Sequence, residues 1–183
     1  VGYAKQYEVW SSEGILPIFL DGYNACMEKY LVGYRFVSAK IIPIDSEIDL
    51  TAINSALDDA VQFKGARHAL EQASTLLADR KNPDYLNSIK ESISAVESVC
   101  RAVTGETTLG GGIKKLRGAG VKIHPALEQG WSKMYGWTSD EDGIRHGGIE
   151  AADGDQSLAK YMLVTCSAFV SHIIESGRKA HLI

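Results

Sequence analysis

Apolar and polar positions alternate with a helical period along most of the chain, and the pattern is sharpest between Leu86 and Val103. There Leu86, Ile89, Ile93, Val96, Cys100 and Val103 recur at steps of three and four, which places them on one face of a helix. Burial of the larger ones, at roughly 1.5–3 kcal/mol each, predicts a core helix. Asn82-Pro83-Asp84 reads as its start, with Asn82 as cap, Pro83 at the first position and Asp84 at the positive end of the helix dipole. Gly105 closes it. Lys90, Ser94, Glu97 and Arg101 form a polar stripe at the same spacing. That stripe is either a solvated face with a Glu97–Arg101 pair or a polar wall facing a site.

Two helices are predicted ahead of this one. The first starts at Asp45 or Ser46 with Leu50, Ile53, Leu57, Ala60 and Val61 inward. The second runs over about 65–80 with Ala66, Ala69, Leu70, Ala73, Leu76 and Leu77 inward. Behind it, Thr107 or Thr108 caps a short helix bearing Leu109, Ile113 and Leu116. Pro125 then opens one bearing Leu127, Trp131, Met134 and Tyr135. Asp140 or Asp142 caps a turn of helix carrying Ile144, Arg145, His146 and Ile149. Asp155 caps a last helix, apolar nearly all round, that ends at Gly177.

The first 45 residues differ. Tyr3, Tyr7 and Trp10 show no clear period. A helix is expected to start at Ser12, with Ser11 or Ser12 as cap and Glu13 in the first turn, and to become regular only around Pro17, with Leu20, Tyr23, Met27 and Tyr30 on its apolar face, Asp21, Asn24 and Glu28 off it, and Gly33 as its end. Aromatic and β-branched residues over 34–44 favour a strand or extended segment that pairs upstream of Val1 or with its own neighbourhood. The expected architecture is therefore mainly α, an up-and-down helical bundle over 46–183. Residues 1–45 are expected to be the tail of an N-terminal region whose beginning is missing.

Composition narrows the function. A net charge of −4, from 19 basic and 23 acidic residues, gives no global basic field for nucleic acid. Lys114, Lys115, Arg117 and Lys122 form the local basic cluster on which RNA contact would rest. Cys26, Cys100 and Cys166 are widely spaced, without a CxxC pair, and read as buried thiols of a reducing cytoplasm rather than as a metal or redox site. The most apolar run, Leu158 to Ile174, falls short of the roughly 20 residues that cross a bilayer. No membrane, metal or cofactor is expected. Gly110-Gly111-Gly112 lacks the strand and the GxxxxGK[ST] spacing of a phosphate loop.

Candidate chemistry gathers between Tyr135 and Glu150. An aromatic pair, Tyr135 and Trp137, precedes three acids, Asp140, Glu141 and Asp142, and then Arg145-His146 between glycines. In a helix His146 and Glu150 share a face and Arg145 points about 100° away. An Arg fork matches two phosphate oxygens and a His moves protons near neutral pH, the pair of functions that metal-independent RNA cleavage requires. The same Arg also fits as a partner of the neighbouring carboxylates.

Several segments resemble a family. The run Asn82 to Glu97, Ile123-His-Pro-Ala-Leu127, Asp142-Gly-Ile-Arg-His-Gly147 and Leu163-Val-Thr-Cys-Ser-Ala-Phe169 resemble bacterial abortive-infection proteins of the AbiJ type, which carry a C-terminal HEPN-like helical domain. The resemblance covers about residues 60–175. It implies a bundle of four or five helices, a homodimer, and a role in phage defence, toxin systems or RNA processing. HEPN ribonucleases carry an Arg, a polar residue and a His after four to six intervening residues. Arg145 and His146 match the first two, but Glu150, Ala151 and Ala152 stand where the closing His would be. Three readings follow: a binding module that dimerises and holds RNA or a partner; a ribonuclease using Arg145, His146 and Glu150 or Glu97; or a structural domain that regulates the N-terminal portion.

Overall fold

A computed structural model describes residues 12–139 and 154–183. In chain order it contains α1 (Ser12–Lys29), β1 (Arg35–Val37), β2 (Lys40–Ile42), α2 (Glu47–Asp59), a 3-10 turn (Ala60–Gln62), α3 (Lys64–Ala78), α4 (Tyr85–Thr104), α5 (Leu109–Gly118), α6 (Pro125–Ser139) and α7 (Gln156–Lys179). The protein is mainly helical, a helical bundle with one small sheet.

Helix α4 is the centre because two of its faces are buried. Ile89, Ile93, Val96, Cys100 and Val103 form the apolar face that the sequence predicts. Ser88, Ser92, Ala95 and Val99 form a second buried face. The side chains there are small, and the serine hydroxyls are satisfied by backbone: Ser88 Oγ donates to the Ala73 carbonyl on α3 at 2.8 Å, and Ser92 Oγ to the Ser88 carbonyl at 2.9 Å. α3 meets α4 with Ala66, Ala69, Leu70, Ala73 and Leu77. α7 contributes Met162, Leu163, Cys166, Phe169, Val170, Ile173 and Ile174.

Contacts at both ends fix the directions. Gly154 lies against Leu86, at the start of α4, and Gly177 against Val103, near its end, so α4 and α7 run parallel. Lys160 bonds Asp45 at 2.8 Å and Arg178 approaches Asp59 at 3.6 Å, so α2 runs parallel to α7 as well. α3 runs the other way, with Gly65 against Ser98 and Ala73 against Ser88. The Lys160 ammonium holds the exposed Asp45 carboxyl below the usual carboxylate range. Its contribution to stability, present above the ordinary Asp pKa and lost as pH falls through the lowered one, is small because the pair is solvent-screened.

Residues 34–44 form a hairpin, pairing with their own neighbourhood. Arg35 pairs with Ile42, Phe36 with Ile41 and Val37 with Lys40 across a two-residue turn. Ser38 and Ala39 have φ of 46° and 64°, the positive values that two-residue hairpin turns demand. Val37, Ile42 and Ile44 enter the main hydrophobic core. Asn24 on α1 donates Nδ2 to the Phe36 carbonyl at 3.0 Å and accepts from the Phe36 N–H at 2.7 Å through Oδ1. One carboxamide thus serves the outer edge of β1 as a neighbouring strand would.

Several sequence expectations need correction. α1 starts at Ser12 as expected, but it is regular ahead of Pro17, which lies inside it. It packs chiefly on β1, so among its described side chains Asn24 is the buried one while Tyr23 and Tyr30 are exposed. Its end is set by Leu31, with φ of 53°, and by the Val32 N–H reaching the Met27 carbonyl, not by Gly33. Cys26 is exposed. The cap of α4 is Asp84, which accepts from the Asn87 N–H at 3.1 Å, while Asn82 belongs to the preceding turn, in which Asp79 accepts from the N–H groups of Lys81 and Asn82. Val61 turns outward in the 3-10 turn and Leu127 is also exposed. α7 continues past Gly177 to Lys179, and Gly177 serves packing, since a Cβ there would strike Val103. α7 is also long and apolar enough to cross a membrane, with a mean hydropathy of 1.4 over its best window. Half of that window is buried in the bundle, as expected of a core helix.

The triple glycine lies in α5, whose cap Thr108 accepts from the Gly111 N–H at 3.1 Å. Gly112 is buried, and a Cβ there would collide with Cys100 Sγ and crowd Thr104 Oγ1. We expect Gly112→Ala to lower the unfolding free energy by roughly 1–3 kcal/mol through overpacking. Chemical denaturation would show it, and adding Cys100→Ala should return part of the loss by opening the space.

Candidate functional site

Arg145, His146 and Glu150, with Asp140, Glu141, Asp142, Ala151 and Ala152, lie outside the described residues, as do Tyr3, Tyr7 and Trp10. Chain connectivity alone places the segment between the end of α6 at Ser139 and the start of α7 at Gln156. Arg145 follows Ser139 by six positions, so chain length alone limits it to about 22 Å from the end of α6.

The described part of this region is the place where α6 meets α4. Trp131 on α6 stacks on Phe169 of α7, with ring centroids 3.5 Å apart and planes inclined by 12°. One turn further along α6, Tyr135 Oη donates to Glu97 Oε1 on α4 at 2.6 Å. Glu97 belongs to the polar stripe of α4, of which Lys90 and Arg101 are exposed and Ser94 and Glu97 half-buried. Its carboxylate is therefore engaged across two helices by Tyr135, where the sequence offered Arg101 one turn along. Thr138, the next polar group toward the segment, is buried and donates to the Tyr135 carbonyl at 2.8 Å. Trp137 stays exposed. The site thus keeps a carboxylate and a phenol held together near the end of α6 that leads to Arg145. The sequence places Tyr135 in the candidate stretch, but its spacing from Glu97 carries no local signal: the pair is 38 residues apart.

Lys114, Lys115, Arg117 and Lys122 are all exposed, but they do not act as one free patch. Arg117 Nη1 bonds Glu128 Oε2 at 2.7 Å, and Lys115 Nζ lies 3.9 Å from Glu106 Oε1. Two of the four charges are partly neutralised by acids on neighbouring elements, which weakens the field a phosphate backbone would meet. The buried thiols are chemically quiet: burial pushes Cys166 up to about 12 and raises Cys100. Among the described residues no group of three His, Cys, Asp or Glu side chains is arranged to hold a metal ion.

Compared with known proteins, the chain matches no family model, no curated protein and no solved structure.

The Tyr135–Glu97 bond generates a direct expectation. A hydrogen bond to a charged group contributes roughly 1.5–3 kcal/mol when shielded and less where water competes. We expect a double-mutant cycle of Tyr135→Phe and Glu97→Ala, followed by urea unfolding, to give a coupling of about 1 kcal/mol.

Proposed function

We propose that this chain is a HEPN-like module of an abortive-infection (AbiJ-type) defence protein. In this reading it dimerises and binds RNA or a protein partner through a degenerate ribonuclease motif. The observation that carries the reading is the crossover from α6 to α7. It bears Arg145-His146 but no His at 150, 151 or 152, and it leaves α6 close to the Glu97–Tyr135 pair. The helical bundle agrees with the resemblance of residues 60–175 to that family. Arg145 is the phosphate- or carboxylate-binding group. Lys114 and Lys122, which among the described residues have no acidic partner such as those of Lys115 and Arg117, are the basic residues best able to add RNA contact.

A second reading is favoured by Glu97. A carboxylate held by a phenol near this crossover is a group that could orient His146, giving a metal-independent endoribonuclease with Arg145 on the phosphate and Glu150 or Glu97 assisting proton transfer. One assay separates the two: incubation of cellular RNA with the protein in EDTA, beside Arg145→Ala and His146→Ala variants shown by thermal melting to be folded. The binding module leaves RNA intact but shifts it, or captures a partner, at low salt, and Arg145→Ala weakens that binding. Cleavage lost in both variants would establish the enzyme instead. A drop in melting temperature on Arg145→Ala, with neither binding nor cleavage in the parent, would reduce Arg145 to a structural ion-pair partner.

A further inference from the structure

A cleft of about 280 Å³ lies where the hairpin meets the end of α3 and the start of α4. Tyr34 and Ile41 line it from the hairpin, Leu77, Asp79 and Arg80 from the end of α3, and Tyr85 from α4. Tyr85 precedes Glu97 by roughly 18 Å along α4, so the cleft is separate from the Tyr135–Glu97 pair. Its two charged groups are opposite in sign and adjacent in sequence, and each is held by something other than its neighbour. Asp79 Oδ1 accepts from the Lys81 N–H at 2.9 Å and from the Asn82 N–H at 3.0 Å. The Asn82 and Lys81 N–H groups keep this exposed carboxyl below the usual carboxylate range, and they leave Oδ2 clear of their bonds. Arg80 sits over Tyr34, its guanidinium carbon 4.3 Å from the ring centroid. Stacking engages the face of a guanidinium and leaves its N–H edge for an acceptor. Among the described residues Arg80 has no acidic partner and Asp79 no basic one.

We infer that this cleft binds a small zwitterion, an α-amino acid with an apolar side chain, its carboxylate on the Arg80 fork and its ammonium on Asp79 Oδ2. Both charges are ordered in advance, one by two backbone N–H groups and the other by an aromatic face, so binding need not immobilise them. The pair also selects against singly charged ligands. An anion drawn to Arg80 meets the Asp79 carboxylate, and a cation drawn to Asp79 meets the guanidinium; a zwitterion answers both. A phosphate is disfavoured on the same ground, which separates this cleft from any RNA contact at Arg145 or the α5 lysines. Size agrees with the charge argument. Small-molecule sites begin at about 300 Å³, so a cleft of about 280 Å³ suits a ligand of amino-acid dimensions and no larger partner. Ile41, which keeps 37% of its surface, and the half-buried Tyr85 ring supply the apolar wall for the ligand side chain. The site stands whether or not the Arg145 segment binds or cuts RNA.

Titration calorimetry with leucine, leucinamide and N-acetylleucine tests the charge requirement on the parent protein alone. Leucine carries both charges, leucinamide only the ammonium and N-acetylleucine only the carboxylate. Leucine should bind at millimolar concentration or below, and each analogue about tenfold or more weakly, the loss of one charge-assisted hydrogen bond. Two variants then assign the charges. Asp79→Asn keeps an oxygen for the Lys81 and Asn82 N–H groups but removes the negative charge. Arg80→Met keeps a side chain over Tyr34 but removes the fork. With folding checked by thermal melting, Asp79→Asn should bind leucine no better than N-acetylleucine, and Arg80→Met should bind it no better than leucinamide. Three outcomes would each overturn the proposal: a parent that binds neither leucine nor phenylalanine at millimolar concentration, a parent that binds leucine and both analogues equally, or leucine binding unchanged in both folded variants.

Discussion

The two-faced burial of α4 is the constraint on which the rest of the structure depends. Its apolar face packs into the core with α7, and its small face lets α3 approach closely enough for Ser88 to bond the α3 backbone. A helix buried on two sides needs both partners in fixed directions. The Gly154–Leu86 and Gly177–Val103 contacts hold α7 parallel to it. A chain that leaves α4 and returns parallel to it must cross the bundle. Of that return path, α5 and α6 are the described elements. Core packing thus sets the course of α6, and the Tyr135–Glu97 bond marks where that helix touches α4.

The N-terminal part obeys a different economy. A two-stranded hairpin is marginal by itself, and this one is held by burying Val37, Ile42 and Ile44 in the helical core while Asn24 satisfies the outer edge of β1. α1 is therefore attached through polar bonds and the Tyr23–Phe36 ring contact more than through a buried apolar face.

Much of the bundle was legible in the sequence because α3, α4 and α7 state their faces in apolar residues at helical spacing. The caps were legible too, Asp155 outright and Ser46 and Thr108 each as one of two adjacent candidates, short polar residues ahead of a periodic run that do accept a backbone N–H. The second face of α4 was not, since serine counts as polar in any periodicity and only the position of the Ala73 carbonyl makes it an interior residue. Glycine was the other source of error. Gly33 and Gly177 read as helix stops, but the stop of α1 is Leu31 at positive φ, and Gly177 is small because Val103 presses on it. The Glu97–Tyr135 pair joins positions too far apart in sequence for spacing to reveal, and Arg145, His146 and Glu150 stand on the sequence argument alone.

The central functional claim is that a HEPN-like site has lost its closing histidine, and restoring that residue tests it most directly. Glu150→His, Ala151→His and Ala152→His should each be purified, shown to be folded, and incubated with RNA in EDTA. The account predicts that the parent is inert, that at least one variant gains cleavage, and that adding Arg145→Ala removes it. Three inert variants that retain the parent's fold would contradict it, as would a parent that already cuts.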